Sequence, residues 1–113
     1  MLNESADLDR LFQALVDPAR RVVVQRLSRG PLSVSDLARP LPMSLPAVMQ
    51  HLSVLEAAGL VRSRKTGRVR TVTLEARALD PAERWLRAQR AEWEARLDRL
   101  GTYLNDTQDE GDR

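Results

Sequence analysis

Residues 43–74 have the clearest pattern in the chain: MSLPAVMQHLSVLEAAGLVRSRKTGRVRTVTL. Ser44 is suited to capping a helix, and Pro46 is tolerated in the first helical turn. Apolar residues then repeat at helical spacing, at Val48, Leu52 and Leu55. Gly59 is typical of the residue that ends a helix in the left-handed conformation. The first half of this stretch is therefore predicted to be an amphipathic helix.

A basic hairpin is predicted directly after this helix. Strands are expected at about Leu60–Lys65 and Val69–Leu74, with Thr66-Gly67 between them. Five cations fall within nine residues, at Arg62, Arg64, Lys65, Arg68 and Arg70. Because alternate strand residues share a face, Arg62 and Arg64 are predicted to lie together, as are Arg68 and Arg70 on the second strand, with Val69 and Thr71 opposite.

Four further helices are predicted around this stretch. The first covers about Asp7–Val16, and the second runs from Pro18 to about Arg29, with Asp17 as its cap. Ser33 opens a short third helix, and a short turn joins it to the helix at Ser44, which is typical of a helix-turn-helix. A long fifth helix is expected over Asp80–Leu104. The predicted fold is mainly α with a small β-hairpin, a winged helix-turn-helix.

Composition limits the class of protein. The chain has 113 residues, and 42% of them are hydrophobic, which fits one domain over residues 1–104 and an acidic, disordered tail over 105–113. Residues 18–77 carry eleven basic and three acidic side chains, a net charge of +8, whereas the flanking segments are each −3. Cysteine is absent, and we find neither a signal sequence nor an apolar run long enough for a membrane, so a cytoplasmic protein without disulfides is expected.

The concentration of positive charge beside a polar helix face predicts double-stranded DNA as the partner. Gln50 can hydrogen-bond adenine through two atoms in the major groove, and Val54 can contact a thymine methyl group. The hairpin arginines suit phosphate and a narrow minor groove. The predicted DNA-binding residues are Ser44, Pro46, Ala47, Gln50, His51, Val54, Arg20, Arg62, Arg64, Lys65, Arg68 and Arg70. For His51, a packing or capping role fits the pattern as well as a phosphate contact does.

The long fifth helix carries an apolar seam at heptad-like spacing. Such a seam, together with the apolar side of the first helix, normally marks an interface, so a homodimer is predicted. The predicted interface residues are Leu8, Leu11, Phe12, Leu15, Leu86, Trp93, Leu97, Leu100 and Leu104. Packing of the seam on its own domain is the alternative. Trp85 lies off the seam and is expected either to cover the base of the hairpin or to line a pocket.

Several of these segments together resemble the ArsR (ArsR/SmtB-type) family of bacterial winged-helix regulators. The matching pieces are residues 12–21, residues 32–38, and Met43-Ser44 through Leu60-Val61 with Gly67-Arg68 in the hairpin. The resemblance covers about residues 8–104. It implies a homodimer that pairs through its first and fifth helices, binds an operator, and thereby represses transcription until an effector alters the binding.

The familiar metal sites of that family are not matched here. Ser33 and Ser35 stand where metal-sensing members have cysteines, and the fifth helix contains no histidine. No metal and no cofactor are therefore predicted. Four kinds of control stay open: a small apolar ligand, a protein partner, a hard metal held by carboxylate or histidine ligands outside the familiar sites, and constitutive binding.

Two other classes of function were weighed against a DNA-binding regulator. A winged-helix module that binds only proteins would have a neutral hairpin, and the second helix of its helix-turn-helix would lack the small and polar residues that can contact bases. This sequence has neither feature. An enzyme would need a nucleophile with its base, a glycine-rich phosphate loop or a metal cluster, and we find none of these motifs. The sequence therefore predicts a repressor and not an enzyme.

Overall fold

Five α-helices and three strands make up residues 4–111, the part of the chain that the structure, a computed structural model, describes. In order they are α1 (Glu4–Leu15), α2 (Pro18–Leu27), β1 (Leu32–Ser33), α3 (Val34–Ala38), α4 (Leu45–Ala57), β2 (Val61–Thr66), β3 (Val69–Leu74) and α5 (Asp80–Gly111), with a short 3-10 helix (Ala76–Leu79) before α5. This order of elements confirms the predicted winged helix-turn-helix.

The predicted caps explain where three of the helices begin. A side-chain oxygen of each cap accepts a backbone N–H of the first turn: Asp17 from Ala19 at 2.8 Å, Ser33 from Asp36 at 3.1 Å, and Ser44 from Ala47 at 3.3 Å. Each bond satisfies a donor that has no partner inside its own helix. Nearby residues also determine where α4 ends: Gly59 has φ of 76°, and the Leu60 N–H donates to the Leu55 carbonyl at 3.0 Å.

The sheet has one strand more than the sequence predicts. Its order is β1-β3-β2, and both pairings are antiparallel. The additional strand β1 is only two residues long and pairs Leu32 with Val72 and Ser33 with Thr71. It was missed because a two-residue strand has no periodicity of its own and exists only through its partner β3.

The core of the first compact unit, Met1–Pro81, joins the helices to the sheet. Its most buried side chains are Leu11, Val23, Leu37, Val48, Leu55, Leu60 and Val72. Each stabilises the fold by about 1.5–3 kcal/mol through burial. Leu11 is only 2% exposed, so its predicted place at a dimer interface is wrong. It occupies the side of α1 that faces the core of its own unit.

The second unit, Ala82–Arg113, consists of most of α5. The helix reaches Gly111, so residues 105–111 are helical where a disordered tail was expected, and residues 112–113 lie outside the described part. Pairs at i and i+4 support it, with Arg87 and Arg96 donating to Glu83 and Glu92 at 2.6 and 2.7 Å. Within residues 4–111, no helix combines the length and apolar character that crossing a bilayer requires.

Candidate nucleic-acid interface

The exposed side of α4 is narrower than the sequence predicts. Pro46 and Gln50 are exposed, and so is the cap Ser44. Ala47 and His51 are only half-buried, because their side of the helix turns toward the other helices of the unit. The face that is open to a large partner therefore centres on Gln50 and includes the positively polarised N-terminus of the helix.

Val54 is less exposed than the sequence predicts. It is half-buried, and it lines an open groove of about 380 Å³ with Gln13 of α1 and Ala58. The expectation of a fully exposed valine is therefore wrong. Contact with α1 explains why an apolar residue stands at this position.

Two exposed residues of α4 were missed at the sequence level. Met49 is 40% exposed and Ser53 is exposed. Both line a cavity of about 150 Å³ between α4 and the hairpin, together with Ser63 and Arg70. Met49 was overlooked because an apolar side chain at helical spacing is usually part of the core. The exposed face of α4 thus continues toward the hairpin.

The hairpin of β2 and β3, called the wing below, is connected by Gly67-Arg68, whereas the sequence predicts Thr66-Gly67 between the strands. Thr66 pairs with Val69, and Gly67 between them has φ of 62°, a conformation that side chains other than glycine rarely adopt. Arg68 therefore lies at the tip. Within the described residues, Arg64, Lys65 and Arg68 are exposed and form no ion pair.

The register assigns the wing cations to different faces. Lys65 pairs directly with Arg70, so these two side chains share a face, while Arg62 and Arg64 lie on the other. Arg70 donates to the Ser63 hydroxyl at 3.0 Å on the side next to α4. Arg68 is in the turn and not in β3, so the predicted pairing of Arg68 with Arg70 on one strand face is wrong. The cations consequently surround the wing.

Arg62 differs from the other wing cations by having a carboxylate beside it. Its Nε lies 3.4 Å from Glu75 Oε1, although the side chain is 76% exposed. An exposed pair of this kind contributes little to stability. It does, however, offset part of the positive charge at the base of the wing.

Arg20 faces the interior of its unit and not the solvent. Its side chain is 13% exposed. Its Nε donates to the Ala14 carbonyl at 2.6 Å, and its Nη2 to the Gln13 carbonyl at 3.1 Å. Its Nη1 lies 3.3 Å from His51 Nδ1. These contacts engage all three guanidinium nitrogens. Arg20, for which the sequence predicts a phosphate contact, therefore donates to the end of α1.

Asp17 lies close to Arg20 in residues 17–21, which are called the corner below. Burial raises the pKa of its carboxyl group, but the backbone N–H groups of Ala19 and Arg20 and the nearby positive charge of Arg20 outweigh this effect, so the pKa lies below the ordinary 3.8. Arg21 completes the corner by donating to the Leu15 and Val16 carbonyls at 2.7 and 3.0 Å. Residues 17–21 therefore connect α1 and α2.

A metal site has no support in the part of the chain that the structure describes. No three histidine, cysteine, aspartate or glutamate side chains come together there as ligands for an ion. His51 has Arg20 beside its Nδ1, and a guanidinium is a poor neighbour for a metal cation. The exposed chemistry of the first unit is therefore the α4 face and the wing.

Known proteins resemble this chain in sequence and in fold. A family model for a helix-turn-helix domain matches residues 15–64. HTH-type transcriptional regulator Rv2034 of Mycobacterium tuberculosis is 54% identical over 67 residues, 59% of this chain and 63% of that protein, so the chain spans less than two thirds of that relative's length. Transcriptional repressor SdpR of Bacillus subtilis is 25% identical over 79 residues, 70% of this chain and 88% of that protein.

A solved structure extends the match over nearly all of another chain. The crystal structure of an ArsR family transcriptional regulator aligns with a TM-score of 0.78 at 47% identity, covering 83% of this chain and 97% of that one. Its winged helix-turn-helix agrees with the arrangement of α3, α4 and the wing described above. On this evidence the chain belongs to the ArsR family of transcriptional regulators.

Proposed function

We propose that this protein is a sequence-specific repressor that binds operator DNA as a homodimer. The observation that carries the proposal is the cavity that Ser63 and Arg70 of the wing line together with Met49 and Ser53 of the exposed α4 face, so the cationic wing lies beside that face. A cationic hairpin next to a polar helix offers phosphate contacts and base contacts on the same surface. The ArsR-family relatives, which are regulators and repressors by name, support this proposal.

In this proposal α4 enters the major groove and reads bases. Gln50 hydrogen-bonds adenine through its amide, and Pro46 and Met49 contact apolar base edges. The Ser44 hydroxyl and the backbone N–H of Leu45 at the start of α4 bind a phosphate. Ala47 and His51 contribute at the edge of this surface, whereas Arg20 is left out because its guanidinium is already occupied.

The wing supplies charge and not sequence information. Arg64, Lys65, Arg68 and Arg70 contact phosphates, and the arginines enter the minor groove where it is narrow. Because the cations surround the hairpin, two faces of it can approach DNA. The affinity should consequently fall steeply as the salt concentration rises.

Dimerisation is proposed from the exposed apolar side chains of α5. Leu86, Trp93, Leu97, Leu100 and Leu104 are between 50% and 66% exposed, and Tyr103, which the sequence analysis missed, is 65% exposed. On α1, Phe12 is 42% exposed, and Leu8 and Leu15 are half-buried. A second copy would remove these surfaces from water and place two α4 helices about one turn of DNA apart.

The test of the DNA-binding proposal is a titration with the DNA upstream of the protein's own gene, at low and moderate salt, with an unrelated duplex as competitor. Selective binding that weakens with salt supports the proposal. Equal affinity for both duplexes would contradict it.

Dimerisation is tested separately by sedimentation of Leu97→Glu. The introduced charge should shift the dimer toward monomer, because burying a carboxylate against apolar residues is unfavourable. Glu94→Gln, an exposed change on the same helix that removes a charge, is the control and should stay dimeric. A Leu97→Glu protein that sediments as a dimer would remove this part of α5 from the interface.

A further inference from the structure

A single arginine connects three parts of the first unit. Arg20 begins in the first turn of α2 and donates to two carbonyls in the last turn of α1, those of Gln13 and Ala14. Its remaining nitrogen, Nη1, lies 3.3 Å from Nδ1 of His51, near the middle of α4. The carboxylate of Asp17 lies 3.8 Å from the same Nη1. The guanidinium is therefore held on several sides, and one of its contacts is the helix proposed to read DNA.

The chemistry of arginine determines the state of the histidine in this contact. A guanidinium has five N–H donors and no acceptor, and it stays protonated in proteins. Nδ1 of His51 must therefore accept, which means that it carries no proton. A neutral imidazole then has its proton on Nε2, so the ring has one nitrogen held by Arg20 and one nitrogen able to donate.

We propose that Arg20 is a positioning residue for DNA recognition, acting through His51. By holding Nδ1, it fixes the ring against the end of α1 and leaves Nε2–H as a donor to an operator phosphate. His51 directly follows Gln50 on α4, so the same contact sets the rotation of the helix that presents Gln50. The inference rests on the proposed DNA-binding function, and it assigns to Arg20 an indirect role where the sequence suggested a direct phosphate contact.

Arg21 provides a matched control on the same turn of α2. It donates to the carbonyls of Leu15 and Val16, at 2.7 and 3.0 Å, and so serves the end of α1 just as Arg20 does. If Arg20 were only a cap for α1, Arg20→Met and Arg21→Met would affect DNA binding alike. A difference between the two variants isolates the contact with His51.

The first measurement uses the free protein and needs no DNA. His51 is the only histidine in the sequence, so nitrogen NMR of the imidazole reports on it without overlap. At about pH 8, where an ordinary imidazole is neutral, Nδ1 should give the signal of an unprotonated nitrogen that accepts a hydrogen bond. Arg20→Met should move that signal toward a free acceptor, and Arg21→Met should leave it in place. A proton on Nδ1, or no change in Arg20→Met, would overturn the inference.

The second measurement is a double-mutant cycle on affinity for the upstream DNA. Arg20→Met should weaken binding by roughly threefold to tenfold, the effect of one hydrogen bond. In a His51→Ala background the same change should have almost no effect on affinity, because the imidazole through which Arg20 acts is already absent. Arg21→Met should weaken binding less than about twofold. Additive effects of Arg20→Met and His51→Ala would contradict the positioning role.

Folding and DNA binding are separated by two checks. Thermal unfolding shows whether each variant keeps its fold, and Arg20→Lys, which keeps the charge but not the three-way contact, replaces Arg20→Met if that variant unfolds. Arg20→Lys should lose the contact with His51 Nδ1 just as Arg20→Met does. If the unmodified protein does not bind DNA selectively, the proposed function fails together with this role. If the unmodified protein does bind DNA selectively, additive losses of affinity in the double-mutant cycle would overturn only the positioning role of Arg20.

Discussion

The corner at residues 17–21 and the wing both contain closely spaced arginines, yet the structure uses them in opposite ways. Arg20 and Arg21 at the corner donate to backbone carbonyls at the end of α1. Arg64 and Arg68 of the wing are exposed, and no ion pair involves them within the described residues. The same side chain thus stabilises the protein in one place and is available to a partner in the other.

The difference comes from what lies within reach of each arginine. A helix end leaves four carbonyls without partners, and α1 ends a few residues before Arg20 and Arg21. The wing presents no helix end to its arginines: Arg62 and Arg70 contact the side chains of Glu75 and Ser63 instead, and Arg64 and Arg68 form no ion pair within the described residues. A count of charges along the sequence treats both sets alike. Only the surrounding structure distinguishes an arginine that binds the protein's own backbone from one that stays available to a partner.

The largest effect is expected from removing the unpaired wing charges. Arg64→Ala, Lys65→Ala and Arg68→Ala combined should lower the slope of affinity against salt by roughly three units, about one for each lost phosphate contact. Affinity for all sequences should fall together, by a factor on the order of a hundred or more at moderate salt. Titrations at several salt concentrations measure both quantities.

The stability of this triple variant provides its control. Exposed side chains without partners contribute little, so its free energy of unfolding should stay within about 0.5 kcal/mol of the unmodified protein. A large loss of stability with an unchanged salt slope would contradict the view that the wing cations serve a partner and not the fold.

The next effect concerns base reading, which the wing does not provide. Gln50→Ala should reduce discrimination between the preferred operator and a variant base pair by about 1–3 kcal/mol, while affinity for unrelated DNA stays nearly constant. Selection of preferred sequences with both proteins measures the change. An unaltered preference would mean that the exposed face of α4 does not read bases.

A smaller effect is expected at the corner, on stability. Asp17→Ala removes the cap of α2 and should lower the free energy of unfolding by about 1 kcal/mol, with no change in the salt slope of DNA binding. Asp17→Asn, which is also a good cap, should lose less at neutral pH. Denaturant unfolding gives the free energies, and a reduced salt slope in Asp17→Ala would assign the corner a direct part in DNA binding.

The pH dependence of the Asp17 variants follows from the lowered pKa. Because the pKa in the folded state lies below the ordinary 3.8, the ionised carboxylate stabilises the fold above that value. This contribution is lost as the pH falls below 3.8 and through the folded-state pKa. Asp17→Asn should therefore lose less stability on acidification than the unmodified protein. Equal acid sensitivity of the two proteins would contradict the shift.

The smallest effect is expected at Arg62, where the wing has a partner. Its ion pair with Glu75 is exposed, so Arg62→Ala should change the free energy of unfolding by less than about 0.5 kcal/mol. The salt slope should fall by less than it does for Arg68→Ala, because Glu75 already offsets part of the charge. Glu75→Gln is the control and should raise the slope slightly, and a larger effect at Arg62 than at Arg68 would reverse the proposed order.

The fold was largely predictable because its signals are local. Asp17, Ser33 and Ser44 are cap residues, and Gly59 and Gly67 adopt the positive φ values that their positions suggested. These features act over a few residues, so the chain itself reveals them. The ends of α4 and of the wing strands consequently agree with the prediction to within one residue or two.

The features that were missed depend on contacts distant in sequence. Strand β1 requires β3, and the inward direction of Arg20 requires the end of α1 and His51. Val54 is half-buried in a groove that residues of α1 also line. Helix α5 continues past Leu104, and residues 105–110 contain no proline or glycine, a signal that the sequence prediction gave less weight than the acidic composition.

The short strand β1 also has a mechanical consequence for the wing. It pairs with β3 only at Thr71 and Val72, so the middle of the wing is three-stranded, whereas the part from Lys65 to Arg70 is two-stranded. Backbone amides in this three-stranded part should exchange with solvent slowly, while those at the tip should open on their own. The tip of the wing is therefore expected to bend independently of the three-stranded part. In the proposed complex its cations can then adjust to DNA grooves of different width while the rest of the sheet keeps its structure.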